Sequence, residues 1–265
     1  TSPNVRPEEN YDAYFIAGYH HTHTPLALAA LKKGAYAVVE KPVAVDNAQL
    51  DDLLKAVGIS GRKLFIGFHK RYSSFNPLAI TDLDTKPGEP ISYHCLVHEP
   101  KYPKYFWYNW PNSKGPIVEN GCHWIDHFLY LNNFSRPIKC DVFISKSGII
   151  NVSAELENSA CFTMVLSGEG SDYMGVQDYV ELKTEDKTIK LINDDTYIAE
   201  GKDMVIRKKK VNKMLNYRRM YQTISKKIVR GEDGDTEESL LVSTKLVLDL
   251  EDKYNSVKPQ KLNNR

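Results

Sequence analysis

Short apolar runs alternate with segments of helical periodicity over residues 13–68. The spacing predicts helices that begin at Pro25 and at Asp46, the first of them ending at Gly34. Three predicted buried strands precede, separate and follow these helices. They are AYFIAG (13–18), AYAVVEKP (35–42) and KLFIGF (63–68). A strand–helix–strand–helix–strand order is typical of a parallel sheet covered by helices. Residues 1–85 therefore predict a partial, doubly wound parallel sheet.

Beyond residue 85 the apolar runs become longer and follow one another with few helices between them. A helix is predicted around VENGCHWIDHFLYLNN (118–133), and two amphipathic helices close the chain at about Val211 to Val229 and Thr236 to Tyr254. The candidate strands are PISYHCLVHE (90–99), KCDVFISK (139–146), GIINVSAELE (148–157), ACFTMVLSG (160–168), DYVELKTED (178–186) and KTIKLIN (187–193). Residues 86–265 thus predict a mixed, mainly antiparallel sheet of about five or six strands. The fold class is α/β plus α+β, with helices that cover this second sheet and pack back on the first part.

Composition and charge narrow the classes of function. Apolar residues make up 42% of the chain, and 35 basic against 34 acidic residues leave a net charge of +1. These values are those of an ordinary globular protein and indicate neither a nucleic-acid nor a membrane partner. The one basic run, RKKKVNK (207–213), is expected to be a solvated face. The cysteines lack C-x-x-C spacing, which indicates a reducing, cytoplasmic location; they are Cys95, Cys122, Cys140 and Cys161.

Polar residues follow each of the first three predicted strands. In a doubly wound sheet, ligands bind at the carboxyl ends of the strands. After the first strand, AGYHHTHTP (17–25) places His20, His21 and His23 just before a predicted helix N-terminus, where free N–H groups favour polar ligands. After the second, Lys41 is a candidate proton donor or acceptor, and Glu40 is its candidate orienting partner.

The histidines also raise the alternative of a metal site. An H-x-H pair among His20, His21 and His23 could supply two ligands, and His123 and His127 lie four positions apart on one helix face. The metalloprotease signature H-E-x-x-H requires a glutamate where this chain has Trp124. We therefore expect no metal, and a metal-dependent hydrolase remains the lesser alternative.

A polar stripe crosses the helix predicted at 118–133. Glu119, His123 and Asp126 fall at i, i+4 and i+7, on one face, if the helix extends back through Gly121. Carboxylates and an imidazole are unusual on an otherwise apolar helix. Their alignment therefore predicts a site that faces a cavity.

Three segments resemble the Gfo/Idh/MocA oxidoreductases. AGYHHTHTPLALAALKKGAYAVVEKP is similar to that family's Thr-Pro-Asn-His-x-His loop, helix and strand ending in Glu-Lys-Pro. IGFHKRYSSFNP is similar to the stretch after its next strand, and VENGCHWIDHFLYL resembles its Asp-x-Gly-x-His-x-x-Asp helix. The resemblance implies hydride transfer between NAD or NADP and a hydroxyl carbon of a sugar, polyol or related small molecule.

The resemblance also implies roles for individual residues. Lys41 would lie near the nicotinamide and the reacting hydroxyl, His123 would act in proton transfer, and Glu119 would replace the family's catalytic-site aspartate. The residues beside the cofactor would be Gly18, Tyr19, His20, His21, His23, Glu40, Lys41 and Pro42. The residues that contact the carbohydrate-like substrate would be Arg71, Tyr72, Trp110 and Asp126. An open sheet in the second part indicates a homo-oligomer.

One expected segment is missing from the sequence. Dinucleotide-binding folds start with a strand, a G-x-G-x-x-G turn and a helix, but only twelve residues precede AYFIAG and no G-x-G-x-x-G occurs. GEGSDY (168–173) lacks the third glycine and reads as a turn. We therefore expect residues 1–85 to form an incomplete dinucleotide-binding, Rossmann-like domain with an exposed strand edge. Either the chain is the remainder of a longer polypeptide, or it is a non-catalytic carbohydrate-binding or assembly protein that has lost the dinucleotide site.

Overall fold

A three-stranded parallel sheet forms the first part of the protein, whose computed structural model describes residues 10–110 and 112–258. Strands β1 (Ala13–Ile16), β2 (Tyr36–Val39) and β3 (Leu64–Ile66) lie side by side in that order. The crossovers are helices α1 (His20–Lys32) and α2 (Asn47–Ser60). The predicted partial doubly wound sheet is confirmed. The N-cap of α2 is confirmed as well, since Asp46 accepts a hydrogen bond from Gln49 N at 2.8 Å.

Helix α1 begins earlier than the sequence predicted. It starts at His20, not at Pro25, so the proline lies inside the helix. Proline has no N–H to donate to the carbonyl four residues back, which is that of His21. Gln49 Nε2 lies 3.5 Å from this carbonyl oxygen and serves it in place of the missing backbone donor. His20, His21 and His23 are therefore helical residues of the first turns, not members of a loop.

An eight-stranded sheet forms the second part, in the order β11-β10-β9-β8-β4-β7-β6-β5. Only the contact between β4 and β7 is parallel among the strand pairs of this sheet in the described residues. The strands are β4 (Ser92–His98), β5 (Pro137–Ile144), β6 (Ile150–Leu156), β7 (Cys161–Ser167), β8 (Gln177–Lys183), β9 (Thr188–Ile192), β10 (Thr196–Glu200) and β11 (Val205–Lys210). A mixed, mainly antiparallel sheet was predicted, but with two or three strands fewer. The basic run, expected to be a solvated face, is exposed, and its first four residues belong to the edge strand β11, where charge discourages edge-to-edge pairing.

Helices join the two sheets through a continuous apolar core. Buried residues of both sheets and of the helices between them belong to one cluster. The helices are α3 (Phe75–Leu83), α4 (Cys122–Leu131), α5 (Met214–Val229) and α6 (Glu237–Val257). Met220 and Ile224 of α5 pack against Val38 and Phe65 of the first sheet. The closing helices therefore do pack back on the first part of the chain.

The two edges of the small sheet differ. Within the described residues, β1 pairs with β2 alone, and the Phe15 side chain on β1 is 58% exposed. At the other edge, the linker between α5 and α6 pairs with β3, since Asp235 N donates to Leu64 O at 2.7 Å. Among residues 10–110 and 112–258, which the structure describes, the expected exposed strand edge is that of β1. None of the helices in the described part of the chain is long and apolar enough to cross a membrane.

Candidate active site

Lys41 and the polar residues before α4 meet at the carboxyl ends of the parallel strands. Lys41 follows β2, and its Nζ donates to Glu119 O at 2.5 Å and to Asn120 Oδ1 at 3.1 Å. The two segments are far apart in sequence, since one follows a strand of the small sheet and the other forms the turn before α4. The structure therefore brings Lys41 together with the segment that carries Glu119 and His123.

A π turn over Ile117–Gly121 precedes α4 and sets the direction of these side chains. Its wider hydrogen bonding is visible at Cys122, whose N–H donates to Ile117 O, five residues back. Glu251 of α6 holds the start of this turn by accepting from Gly115 N at 2.7 Å and Val118 N at 3.3 Å. Because of the π turn, the prediction of one polar stripe through Glu119, His123 and Asp126 is wrong. Each of these side chains occupies a separate environment.

His123 lies in a small polar cavity of about 200 Å³. Burial lowers the pKa of His123 well below its ordinary value, and the nearby charge of Lys41 and the residues His69 and Lys70 lower it further. The imidazole is therefore neutral at neutral pH. Its Nδ1 is buried and has no hydrogen-bond partner among the residues that the structure describes. The other residues that line the cavity include Asn120, Trp124, Asp178, Asn193, Asp194, Lys213 and Tyr217.

Lys70 is the second lysine of the site, and it is locked in place. Its Nζ lies 2.7 Å from both Asp178 Oδ2 and Asp194 Oδ1, and Trp124 Nε1 donates to the same Asp178 oxygen at 2.8 Å. Burial alone would lower the pKa of Lys70, but the two aspartates outweigh it and raise that pKa above its ordinary value. Lys70 is thus a fixed cation. Lys41, in contrast, donates to two neutral oxygens.

Sequence reasoning missed Asn120, Lys70 and both aspartates as members of this site. His69 and Lys70 follow the third predicted strand, and the sequence patterns assigned them no role. Asp194, which was also assigned none, sits in the turn between β9 and β10 with a left-handed φ of 56°. A polar run after β3 was the available signal, because that position meets the carboxyl ends of the other two strands.

The carboxyl group of Glu119 lies near two other acids, Glu99 and Glu251. Burial raises the pKa of Glu119 to about 8, and the neighbouring Glu99 and Glu251 raise it while Lys41 opposes them. Its Oε1 is buried without a partner. Glu119 is therefore mostly protonated at neutral pH, and its backbone carbonyl, not its side chain, holds Lys41.

His20 and His23, which follow β1, are buried and stabilise the structure around the site. His23 Nδ1 lies 2.7 Å from Pro42 O and Nε2 lies 3.0 Å from Gly18 O, so its ring ties the ends of β1 and β2 together. His20 is 2% exposed beneath the Trp107 ring, with ring centroids 4.6 Å apart. Burial lowers the pKa of His20 to about 3, helped by Lys41 and the other two histidines. The described residues contain no group of three or more His, Cys, Asp or Glu side chains that could hold a metal ion.

Glu40 does not orient Lys41 as the sequence suggested. Its Oε1 accepts a hydrogen bond from Tyr221 of α5 at 2.5 Å. Glu40 thereby links the end of β2 to α5, and Lys41 is oriented by Glu119 and Asn120 instead.

The four predicted substrate contacts do not gather around Lys41. Arg71 forms a bidentate ion pair with the fully buried Asp126, at 2.8 Å and 2.5 Å, and a third bond to Asp235 at 2.7 Å. This network braces the turn after β3 against α4 and the α5–α6 linker, so both residues have a structural role. Tyr72 lines a separate cavity of about 600 Å³. Trp110 is 44% exposed and packs on Tyr19, with ring centroids 5.1 Å apart.

The fold and the site define a class of protein: a Rossmann-type α/β sheet joined to a mixed sheet, with a lysine and an imidazole between them. Residues 3–68 match the Gfo/Idh/MocA family, described as an oxidoreductase family with an NAD-binding Rossmann fold. The match covers about a quarter of the chain and lies in the part that carries the parallel sheet.

A curated relative is similar to part of the same region. A curated inositol 2-dehydrogenase/D-chiro-inositol 3-dehydrogenase of Halalkalibacterium halodurans is 30% identical over 95 residues, which are 35% of this chain and 27% of that enzyme. The aligned part thus spans little more than a quarter of the relative's length.

Solved structures extend the likeness of fold to nearly the whole chain. UDP-N-acetylglucosamine 3-dehydrogenase from Acidithiobacillus ferrooxidans superposes with a TM-score of 0.75 at 15% identity, over 93% of this chain and 79% of that one. Aldose-aldose oxidoreductase from Caulobacter crescentus gives 0.75 at 16% identity, over 95% and 79%. At these identities the likeness concerns the fold.

Proposed function

We propose that this chain carries the catalytic residues of an NAD(P)-dependent oxidoreductase that transfers a hydride to or from a sugar, a polyol or a related carbohydrate. The observation that carries the proposal is the placement of Lys41, held by two neutral oxygens, beside the neutral imidazole of His123. Support for the substrate class comes from the relatives, one of which is named an inositol dehydrogenase.

The proposed chemistry divides the work between these two side chains. An alcohol that loses a hydride must also lose its hydroxyl proton. In our proposal the Lys41 ammonium donates a hydrogen bond to the substrate oxygen. It uses the N–H that is left after its bonds to Glu119 O and Asn120 Oδ1. His123, whose imidazole is unprotonated at neutral pH, then accepts the hydroxyl proton. A bound NAD or NADP supplies the redox partner.

The residues present fit one end of such a cofactor. Gly18, at the end of β1, lies so close to the first turn of α1 that a Cβ there would approach Thr22 Oγ1 to 2.9 Å. Together with Lys41 and the orphaned Nδ1 atoms of His20 and His123, this edge is suited to the nicotinamide end. No glycine-rich phosphate turn occurs in the sequence. We propose that the pyrophosphate is held by a strand–turn–helix segment that pairs with the free edge of β1.

A fluorescence titration with NADH and NADPH tests this function. We expect weak or no binding by this chain alone, and tight binding by a longer polypeptide that adds a phosphate-binding segment before residue 1. In that polypeptide, Lys41→Ala and His123→Ala should each abolish turnover without loss of the fold. If the longer polypeptide binds neither cofactor, the proposal is wrong.

A non-catalytic carbohydrate-binding or assembly protein is the second candidate. The cavity of about 200 Å³ beside His123 favours it, since it could hold a small polyol without any dinucleotide. Calorimetric binding of a polyol to this chain in the absence of a cofactor would support this candidate. Dependence of that binding on NAD(P) would support the first.

The open face of the eight-stranded sheet favours a homo-oligomer, which we also propose. One cross-strand row on this face is mostly apolar, and Leu96 and Phe143 in it are 58% and 66% exposed. Light scattering should show a multimer that dissociates in Leu96→Lys and persists in the control Ile59→Lys on α2. The four cysteines are free, which fits the cytoplasmic location that we propose.

A further inference from the structure

A single side chain separates Lys41 from the carboxyl group of Glu99. The side-chain oxygen of Asn120 accepts from Lys41 Nζ at 3.1 Å, while its Nδ2 donates to Glu99 Oε1 in a short hydrogen bond. Asn120 is 9% exposed and lies in the π turn. The amide therefore uses its acceptor and its donor on two titratable groups at once.

We propose that Asn120 is a positioning residue for Lys41: it holds the ammonium in place and interposes a neutral amide between this lysine and Glu99. The inference deepens the proposed function and rests on it for the role of Lys41. It concerns a residue that none of the sequence motifs singled out.

A comparison of Lys41 with Lys70 shows the effect of Asn120. Lys70 contacts two carboxylates directly and is a permanently paired cation. Lys41 would resemble it if it contacted the Glu99 carboxyl, because a direct ion pair stabilises the protonated amine. With Asn120 between them, Lys41 keeps a fixed direction, since an amide accepts a hydrogen bond without adding a charge.

Glu99, the second hydrogen-bond partner of Asn120, explains why an amide is required at this position. Glu99 follows β4 and is buried enough for its pKa to be raised, with Asn120 and Tyr102 as its hydrogen-bond partners opposing this effect. An aliphatic side chain would remove one hydrogen-bond partner from Lys41 and one from Glu99. An aspartate would place a carboxylate against Glu99 and would pair with Lys41 as an ion.

Competitive acetylation of the full chain tests the proposal independently of catalysis. Trace labelling with acetic anhydride at a series of pH values, read by peptide mass spectrometry, gives the pH midpoint at which the Lys41 amine becomes reactive. In Asn120→Asp we expect this midpoint to rise by about one pH unit, because a carboxylate replaces the amide. The exposed Asn133→Asp adds the same charge at the far end of α4 and should leave the midpoint unchanged.

A second variant covers the case in which aspartate disturbs the fold. In Asn120→Ser the hydroxyl is too short to reach both partners. The Lys41 ammonium then keeps only its hydrogen bond to Glu119 O, and its orientation is less restricted. In the active, cofactor-binding polypeptide we expect kcat to fall about tenfold with KM nearly unchanged, since orientation of the reacting group is lost. Asn120→Gln should recover part of that loss.

Two results would overturn the inference. One is an unchanged midpoint in a folded Asn120→Asp protein. The other is a Ser variant that loses thermal stability but retains wild-type kcat, which would make Asn120 a packing residue. If neither the wild type nor any variant turns over substrate, the proposed function fails. The pH midpoint of Lys41 acetylation still tests the role of Asn120.

Discussion

At the scale of single residues, chemistry in this site depends on the partners of two lysines. Lys70 is buried between two aspartates, and Lys41 is half-buried against a backbone carbonyl and an amide. Removal of one member of a buried ion pair leaves an uncompensated charge, whereas loss of a neutral hydrogen bond costs far less. One lysine therefore maintains the fold, and the other is available for proton chemistry.

Matched substitutions separate the two roles. We expect Lys70→Met to lower the free energy of unfolding by about 3–5 kcal/mol, because Asp178 and Asp194 lose their cation. Lys41→Met should cost about 1 kcal/mol, because it removes two hydrogen bonds to neutral oxygens. Urea unfolding of both variants measures the difference. Equal losses in stability would contradict this division of roles.

Glu119 makes stability depend on pH. Its pKa of about 8 in the folded protein lies above its ordinary value of 4.5, so between these values the folded chain holds a proton that the unfolded chain has released. Stability from this group is therefore present at low pH and decreases as the pH rises through that window. Glu119→Gln removes the ionisation, and its urea midpoint should fall less between pH 5 and pH 8 than that of the wild type. A parallel decline in both proteins would refute the assignment.

At the scale of elements, the sequence predicted strands and helices better than it predicted where their side chains point. The parallel strands were found because β-branched and aromatic runs alternate with helical periodicity. The start of α1 was misplaced because Pro25 looks like a first-turn residue, while Gln49, distant in sequence, serves the freed carbonyl. Likewise, the positions of Glu119, His123 and Asp126 assumed a regular helix. The π turn is stabilised by Glu251 of α6, which is distant in sequence, so the local sequence pattern does not predict it.

The edge of β3 offers an element-scale test. Gly234 N donates to Arg62 O at 2.7 Å, and a Cβ at Gly234 would lie 2.0 Å from Leu64 O. Gly234→Ala must therefore push the linker off the strand, and we expect a loss of about 1–3 kcal/mol in thermal or urea unfolding. Gly58→Ala inside α2 meets only the flexible end of Glu237 and should be neutral or slightly stabilising. A neutral Gly234→Ala would show that the linker does not need this close approach.

At the scale of the whole molecule, the fold class and the pairing of Lys41 with the α4 segment followed from the sequence, whereas the buried networks did not. Arg71 was predicted to contact substrate, because a cation after a parallel strand is often a ligand-binding residue. Its partners Asp126 and Asp235 lie on α4 and on the α5–α6 linker, far away in sequence. Such networks depend on which elements pack together, and that information is absent from any local stretch.

The pairing of the linker with β3 has a consequence for the order of folding. Ile66 N donates to the carboxylate of Asp235 at 2.7 Å across a sequence separation of 169 residues. Contacts this distant in sequence form late, because the loop-closure entropy must be overcome first. The amino-terminal sheet therefore reaches its final stability only after the carboxyl-terminal helices have left the ribosome, and a nascent chain that stops before residue 234 should remain sensitive to protease within residues 10–85.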